Sequence, residues 1–275
     1  MQYWTRLPRL VRWLCWIGLT FLLLFTVLRI AMFFFSGRQG YRFSELWDAF
    51  FLGLRYDLRI GSLLVLVILI LGSLPPLNPF SNRKARIFWI SLLWVGTVVT
   101  LFFYIADFAH YAYLSQRLNA SVLNYLDDAV ISMNMVWQSY PVIRLLLGII
   151  VVAFLIMWII RRGYTRIHKS KGAVTRRTRI ISFVLLFAIT GFFIFGKFDQ
   201  YPLRWSDAFA LGDDYKANLA FNPFQSFFST LKFRHSGYDR KKLESLYPVL
   251  KEYFPFVHQE NNELNFERVV LRQDS

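Results

Sequence analysis

The chain has one cysteine, Cys15, in 275 residues. That excludes an intrachain disulfide framework and any zinc site built from cysteines. Its four histidines, His110, His168, His235 and His258, stand apart, with no two at the spacing of a helical metal pair and none beside a carboxylate cluster, so no metal site is expected. There is no glycine-rich phosphate loop and no GxSxG nucleophile turn. Acidic residues are scarce, 17 against 32 Lys and Arg, for a formal net charge of +15. The adjacent acidic pair Asp127-Asp128 reads as a solvated face, because neighbours on a helix do not face each other.

What the chain has in excess is apolar mass: 56% hydrophobic residues, 19% aromatic, 29 of them Phe. A water-soluble domain of this length rarely carries so much, so the composition points to a membrane protein. A span needs roughly 20 apolar residues to cross roughly 30 Å of hydrocarbon. Five stretches qualify: 10–35, 60–77, 87–107, 142–160 and 180–197. The second closes on Pro75-Pro76, which cannot continue a helix. The first is too long for a cleavable signal peptide and lacks a small-residue cleavage site.

The basic residues gather in alternate connections. Arg6, Arg9 and Arg12 precede the first span, Arg83, Lys84 and Arg86 lie between the second and third, and "RRGYTRIHKSKGAVTRRTR" joins the fourth to the fifth. Lys and Arg stay on the cytoplasmic side, so the pattern predicts a multi-pass membrane protein with its N-terminus cytoplasmic and its C-terminus on the opposite side. Topology accounts for the charge, and nucleic acid is not expected as a partner.

The expected fold is therefore all-α: five transmembrane helices over 1–197, then an extracytoplasmic helical linker over 198–275. Three stretches have one apolar helical face, 44–54, 121–140 and 222–234, and are expected to lie in the membrane interface. Asn222 followed by Pro223 has the chemistry of a helix start. Asn119 heads the glycosylation-type triplet "NAS" but is better placed to cap the following helix.

A set of charges falls at one membrane depth. Arg55, Asp57 and Arg59 sit in "GLRYDLRIG" ahead of the second span, Asp107 ends the third, Arg117 follows, and Arg144 lies a turn inside the fourth. Arginine forks suit phosphate, and aspartate suits head-group hydroxyls or amines. Arg55, Asp57, Arg59, Asp107 and Arg117 are thus expected to converge on an anionic phospholipid head group, with Arg144 in structural ion pairing. Asp57 is expected to turn toward Arg117 or Arg144. The alternative is an ion-pair network that only fixes the spans.

Three blocks, "FFLGLRYDLRIGSLLVLVILIL", "YIADFAHYAYLSQRLNASVLNYL" and "YPLRWSDAFALGDDYKANLAFNPFQSFFSTL", in this order resemble the N-terminal membrane region of the lipoteichoic acid synthase-like family, within the sulfatase/alkaline-phosphatase superfamily. The resemblance implies a membrane-anchoring, lipid-presenting module of a phosphoglycerol-type head-group transferase or hydrolase. It also implies membrane phospholipids and a sulfatase-like catalytic domain as partners. The family's threonine nucleophile and divalent metal, usually manganese, belong to that domain, which opens with a strand of the type "NVVLIxxES". "ERVVLRQDS" lacks the Glu-Ser, so no catalytic residue and no cofactor is carried over to this chain. Two rival readings are a small transporter or channel, disfavoured because the spans read as clean at their centres, and a purely structural anchor.

Overall fold

In a computed structural model, residues 2–37, 40–126, 129–170, 174–233, 245–254, 258–260 and 263–265 are described. Asp127, Asp128 and His235 lie outside them. The chain divides into two compact units, Met1–Leu231 and Lys232–Ser275.

The first unit is helical. After a short α1 (Gln2–Thr5) come α2 (Arg9–Ser36), α3 (Trp47–Gly72), α4 (Arg83–Leu114), α5 (Ala129–Ser139), α6 (Val142–Lys169) and α7 (Arg176–Phe195). Two short helices follow, α8 (Asp214–Ala220) and α9 (Pro223–Thr230). Four helices, α2, α4, α6 and α7, are long and apolar enough to cross a membrane. Their outward faces are apolar, with Val27, Val151, Phe154 and Val184 each more than 60% exposed. Water would not tolerate such continuous stripes, and lipid would.

The helices are longer than their apolar cores. The expected interfacial helix 44–54 and the expected span 60–77 are one continuous helix, α3, entered through a 3-10 turn at Phe43–Leu46. No proline interrupts 47–72, and the intervening charges all find partners, so the helix runs through them. It stops at Gly72, short of 77, and Pro75–Leu77 forms a 3-10 turn instead. α6 likewise continues to Lys169, so the first part of the expected basic loop is helical. Asn82 and Thr175 cap α4 and α7 by accepting from the amides of Lys84 and Thr178.

α2 is the central element. Trp13, Leu14, Ile17, Phe21 and Phe25 on it are buried against Ile68 of α3, Trp89 and Leu93 of α4, and Ala153, Met157 and Ile160 of α6. At one end, the Trp16 indole N–H donates to the Ile159 carbonyl and the Tyr164 hydroxyl to the Pro79 carbonyl. A second apolar cluster forms at the other end, where Phe33 of α2 and Leu46, Ala49, Leu52 and Tyr56 meet Leu203, Leu219, Ala220 and Phe221. The chain after α7 therefore folds back onto the bundle. α5 behaves differently: its Val130, Met135 and Trp137 are largely exposed.

The second unit holds α10 (Tyr247–Tyr253) and an antiparallel hairpin, β1 (His258–Glu260) with β2 (Glu263–Asn265), His258 opposite Asn265. The tail is thus not wholly helical as expected. Its apolar helical periodicity ends at Phe254, ahead of Pro255 in the sequence.

Candidate functional site

Of the charges singled out in the sequence, Arg59, Asp107 and Arg117 are tied to backbone at the end of the bundle where the chain folds back, and Asp57 is tied there through side chains. They are organised by a residue the sequence reading passed over, Arg29. It sits about two turns before the end of α2 and is 5% exposed. The first span is therefore not clean. A lone arginine in "LFTVLRIAMFFF" was the available signal, since an ionisable group in a span is a site until shown otherwise.

Arg29 uses every N–H of its guanidinium. Nη2 and Nε donate to the two oxygens of Asp57 at 2.7 and 3.2 Å, and Nη2 also reaches the Gly53 carbonyl at 2.9 Å. Nη1 donates to the carbonyls of Leu219 and Ala220, at 2.5 and 2.7 Å, in the last turn of α8. A cation there satisfies acceptors that a helix end leaves unpaired. Asp57 is 1% exposed and takes a further bond from the Asn222 side-chain amide at 3.1 Å. Gly53 makes the crossing possible, because a Cβ at that position would fall inside the guanidinium. Asp57 thus pairs with Arg29 and not with Arg117 or Arg144 as expected, because α2 and α3 are packed neighbours.

Arg117 and Asp107 form a second buried pair, 3% and 0% exposed. Nε donates to Oδ1 at 3.0 Å, and Nη2 stands 2.8 Å from Oδ2 as an ion pair without hydrogen-bond alignment. Asp107 also accepts from the Leu118 amide, and Arg117 Nη1 donates to the Asn218 carbonyl at 3.2 Å. Arg59 is partly buried and closes the end of α7. It donates to the carbonyls of Ile194 at 2.9 Å, Phe195 at 3.3 Å and Leu203 at 2.6 Å. The Tyr56 hydroxyl donates to the Arg204 carbonyl at 2.8 Å.

Three arginines from three helical regions thus hold one returning segment, residues 203–221, by its carbonyls. α9 follows, started by Asn222, whose side chain accepts from the Gln225 amide at 2.8 Å, with Pro223 in the first turn. Phe224 and Phe227 of α9 pack on Phe103 of α4. Asn119 caps as expected, accepting from the Ser121 amide at 2.9 Å, though the turn it opens is 3-10.

The other two expected residues are arranged differently. Arg55 lies over the Phe51 ring at 4.7 Å on its own helix. Arg144 is exposed and has no ion-pair partner among the described residues. The structure therefore shows two buried pairs linked through residues 218–222, with Arg55 and Arg144 outside them.

The returning segment leaves a cavity of about 510 Å³ beside the Arg117 pair, lined among others by Tyr111, Arg117, Asn119, Trp205, Phe209 and Asn218. Aromatic faces, amides and a guanidinium edge suit a small polar group carrying hydroxyls and negative charge. Beyond the cavity, Asp213 caps α8. The Lys216 amide, then the Tyr41 hydroxyl, hold its carboxyl below the usual range, and Asp213 in turn raises the Tyr41 phenol. Lys197 is raised, chiefly by its bond to Asp207 at 3.0 Å. Among the described residues no group of three His, Cys, Asp or Glu is placed to hold a metal ion. Compared with family models, with curated proteins and with solved structures, the chain matches none.

Proposed function

We propose that the chain is a membrane module that anchors a phospholipid head-group enzyme and presents lipid to it. The observation that carries this reading is the cavity beside Arg117: a polar pocket at the end of an apolar bundle, walled by a segment that three arginines hold in place. Arg29, Arg59 and Arg117 are already engaged, so they act as scaffold, and the lipid-contacting role moves from them to the cavity wall.

In this reading α3 is the fifth span, crossing with its apolar half, 60–72, while its charged first half stands at the border. The basic connections face the cytoplasm, and the cavity faces the outer leaflet of a bacterial inner membrane. The catalytic groups and manganese-type metal implied by the resemblance to lipoteichoic acid synthase-like proteins belong to a separate catalytic domain, in cis or in trans. The chain itself contributes position and a dry, shaped approach.

The test is photocrosslinking from inside and outside the cavity. A photoreactive residue at Phe209, which lines the cavity, should label with a phosphatidylglycerol carrying a tagged head group, and soluble glycerol phosphate should compete. The same residue at Val151 should label without competition. Equal, uncompeted labelling at both positions would leave the cavity with no head-group role.

A further inference from the structure

The opposite end of the bundle holds a second concavity. A groove of about 710 Å³ runs between the start of α2, the connection after α3 and the start of α7. Its lining combines polar and cationic residues, Arg9, Arg179, Ser73, Asn78 and Ser81, with apolar ones, chiefly Phe80, Ile180, Phe183 and Val184. Phe80 is held by stacking on Tyr164 at 4.8 Å and edge-on to Trp13. Ile180 and Val184 are 54% and 62% exposed, so the apolar wall opens onto the lipid-facing side of α7.

Charge at this end is uncompensated. Residues 1–12, 73–86 and 161–179 contain no Asp or Glu. Arg12, a turn below Arg9, is 2% exposed; it donates from Nη1 to the Ser170 hydroxyl at 3.1 Å, and its Nε has no hydrogen-bond partner. Arg9 reaches the Ser170 carbonyl at 3.3 Å, which brings the two guanidiniums to one residue. The end with Asp57 and Asp107 meets each buried arginine with a carboxylate. Here a buried guanidinium has none, and burying an unpaired charge is costly.

We propose that this groove seats one anionic phospholipid of the adjacent leaflet. Arg9 and Arg179 take the phosphodiester, Ser73, Asn78 and Ser81 face the head-group hydroxyls, and an acyl chain lies along Ile180 and Val184. The half-apolar wall, continuous with the outer face of α7, selects a lipid over a free anion. The negative charge also offsets Arg12 behind Arg9. Basic pockets between helices on the positive side of a membrane protein bind acidic head groups in this way. The proposal does not rest on the reading of the cavity at the other end.

The experiment uses the full chain, purified and delipidated, with retained lipid counted by native mass spectrometry. The probes are dioleoyl phosphatidylglycerol and dioleoyl phosphatidylcholine. Arg179 is exposed and pairs with no carboxylate among the described residues, so Arg179→Gln should leave the thermal midpoint unchanged. It should lower phosphatidylglycerol retention by about tenfold, the loss expected for one charge-assisted bond to phosphate. Phosphatidylcholine should not change. Arg179→Lys, which keeps the charge without the planar fork, should fall between. Arg161→Gln with Arg166→Gln removes more charge from the same end, away from the groove, and should change retention by less than about twofold. An equal loss in that control would reduce the effect to bulk electrostatics and overturn the site. Displacement of the lipid by inorganic phosphate alone would overturn the lipid assignment.

Discussion

Replacing Arg29 by Met strands Asp57, which is 1% exposed and would keep only the Asn222 amide. Breaking a buried pair by removing one partner costs about 3–5 kcal/mol. The substitution also orphans the carbonyls of Leu219 and Ala220, at about 1–3 kcal/mol for each buried acceptor. Asp57→Leu strands the cation instead, at a similar cost of about 3–5 kcal/mol. The double variant leaves no unpaired charge, only the orphaned carbonyls and the Asn222 amide without its acceptor. It should therefore be no less stable than Arg29→Met alone, and well short of the sum of the two. The assay is reversible unfolding in mixed micelles, with hydrogen exchange read over residues 203–221. Arg29→Met should lose protection there before the centres of α2 and α4 do. If the two losses added fully, or if 203–221 stayed protected without Arg29, the guanidinium would not be the latch described.

Gly53→Ala should act as a partial Arg29 deletion, because its Cβ displaces the guanidinium; early exchange over 203–221 is the readout, and unchanged exchange counts against the crossing. Arg59→Met should loosen the junction after α7, at about 1–3 kcal/mol for each acceptor left buried, with protease sensitivity appearing near Leu203. The Asp213 carboxyl is depressed, so its stabilising share is present above about pH 4, the unfolded value, and is lost as pH falls through its lower folded value. Asp213→Asn should accordingly lower the thermal midpoint modestly at neutral pH and converge on the parent as pH falls below about 4, so that its acid limb is flatter; an equal deficit at every pH would count against the carboxylate. A reporter active only outside the cytoplasm should be active when fused after Ser275 and inactive after Lys171; the reverse result inverts the orientation.

The long apolar helices and two short-element caps were legible because hydrophobic runs and capping chemistry are local. Asn222-Pro223 and Asn119 are cases in which two or three residues suffice. Partner choice was not legible. Asp57 meets Arg29 because α2 and α3 are adjacent, and no spacing in the sequence states which helices touch. The continuity of α3 was hidden for a related reason. Arg55, Asp57 and Arg59 interrupt an apolar pattern, but tertiary partners and a neighbouring ring remove their reason to break a helix. Nor does local pattern show that 203–221 packs into the bundle, since its fit depends on carbonyls, which every residue has.

The latch also sets an order for biogenesis. Asp57 follows Arg29 by 28 residues, whereas the carbonyls of Leu219 and Ala220 follow it by 190 and 191. At roughly 5–20 residues per second, the ribosome delivers those acceptors roughly 10–40 s after the arginine. During that interval α2 and α3 can pair through Arg29 and Asp57, with two guanidinium hydrogens unspent. Arrival of α8 ends that window, so completion of the bundle is signalled from its last-made part to its first.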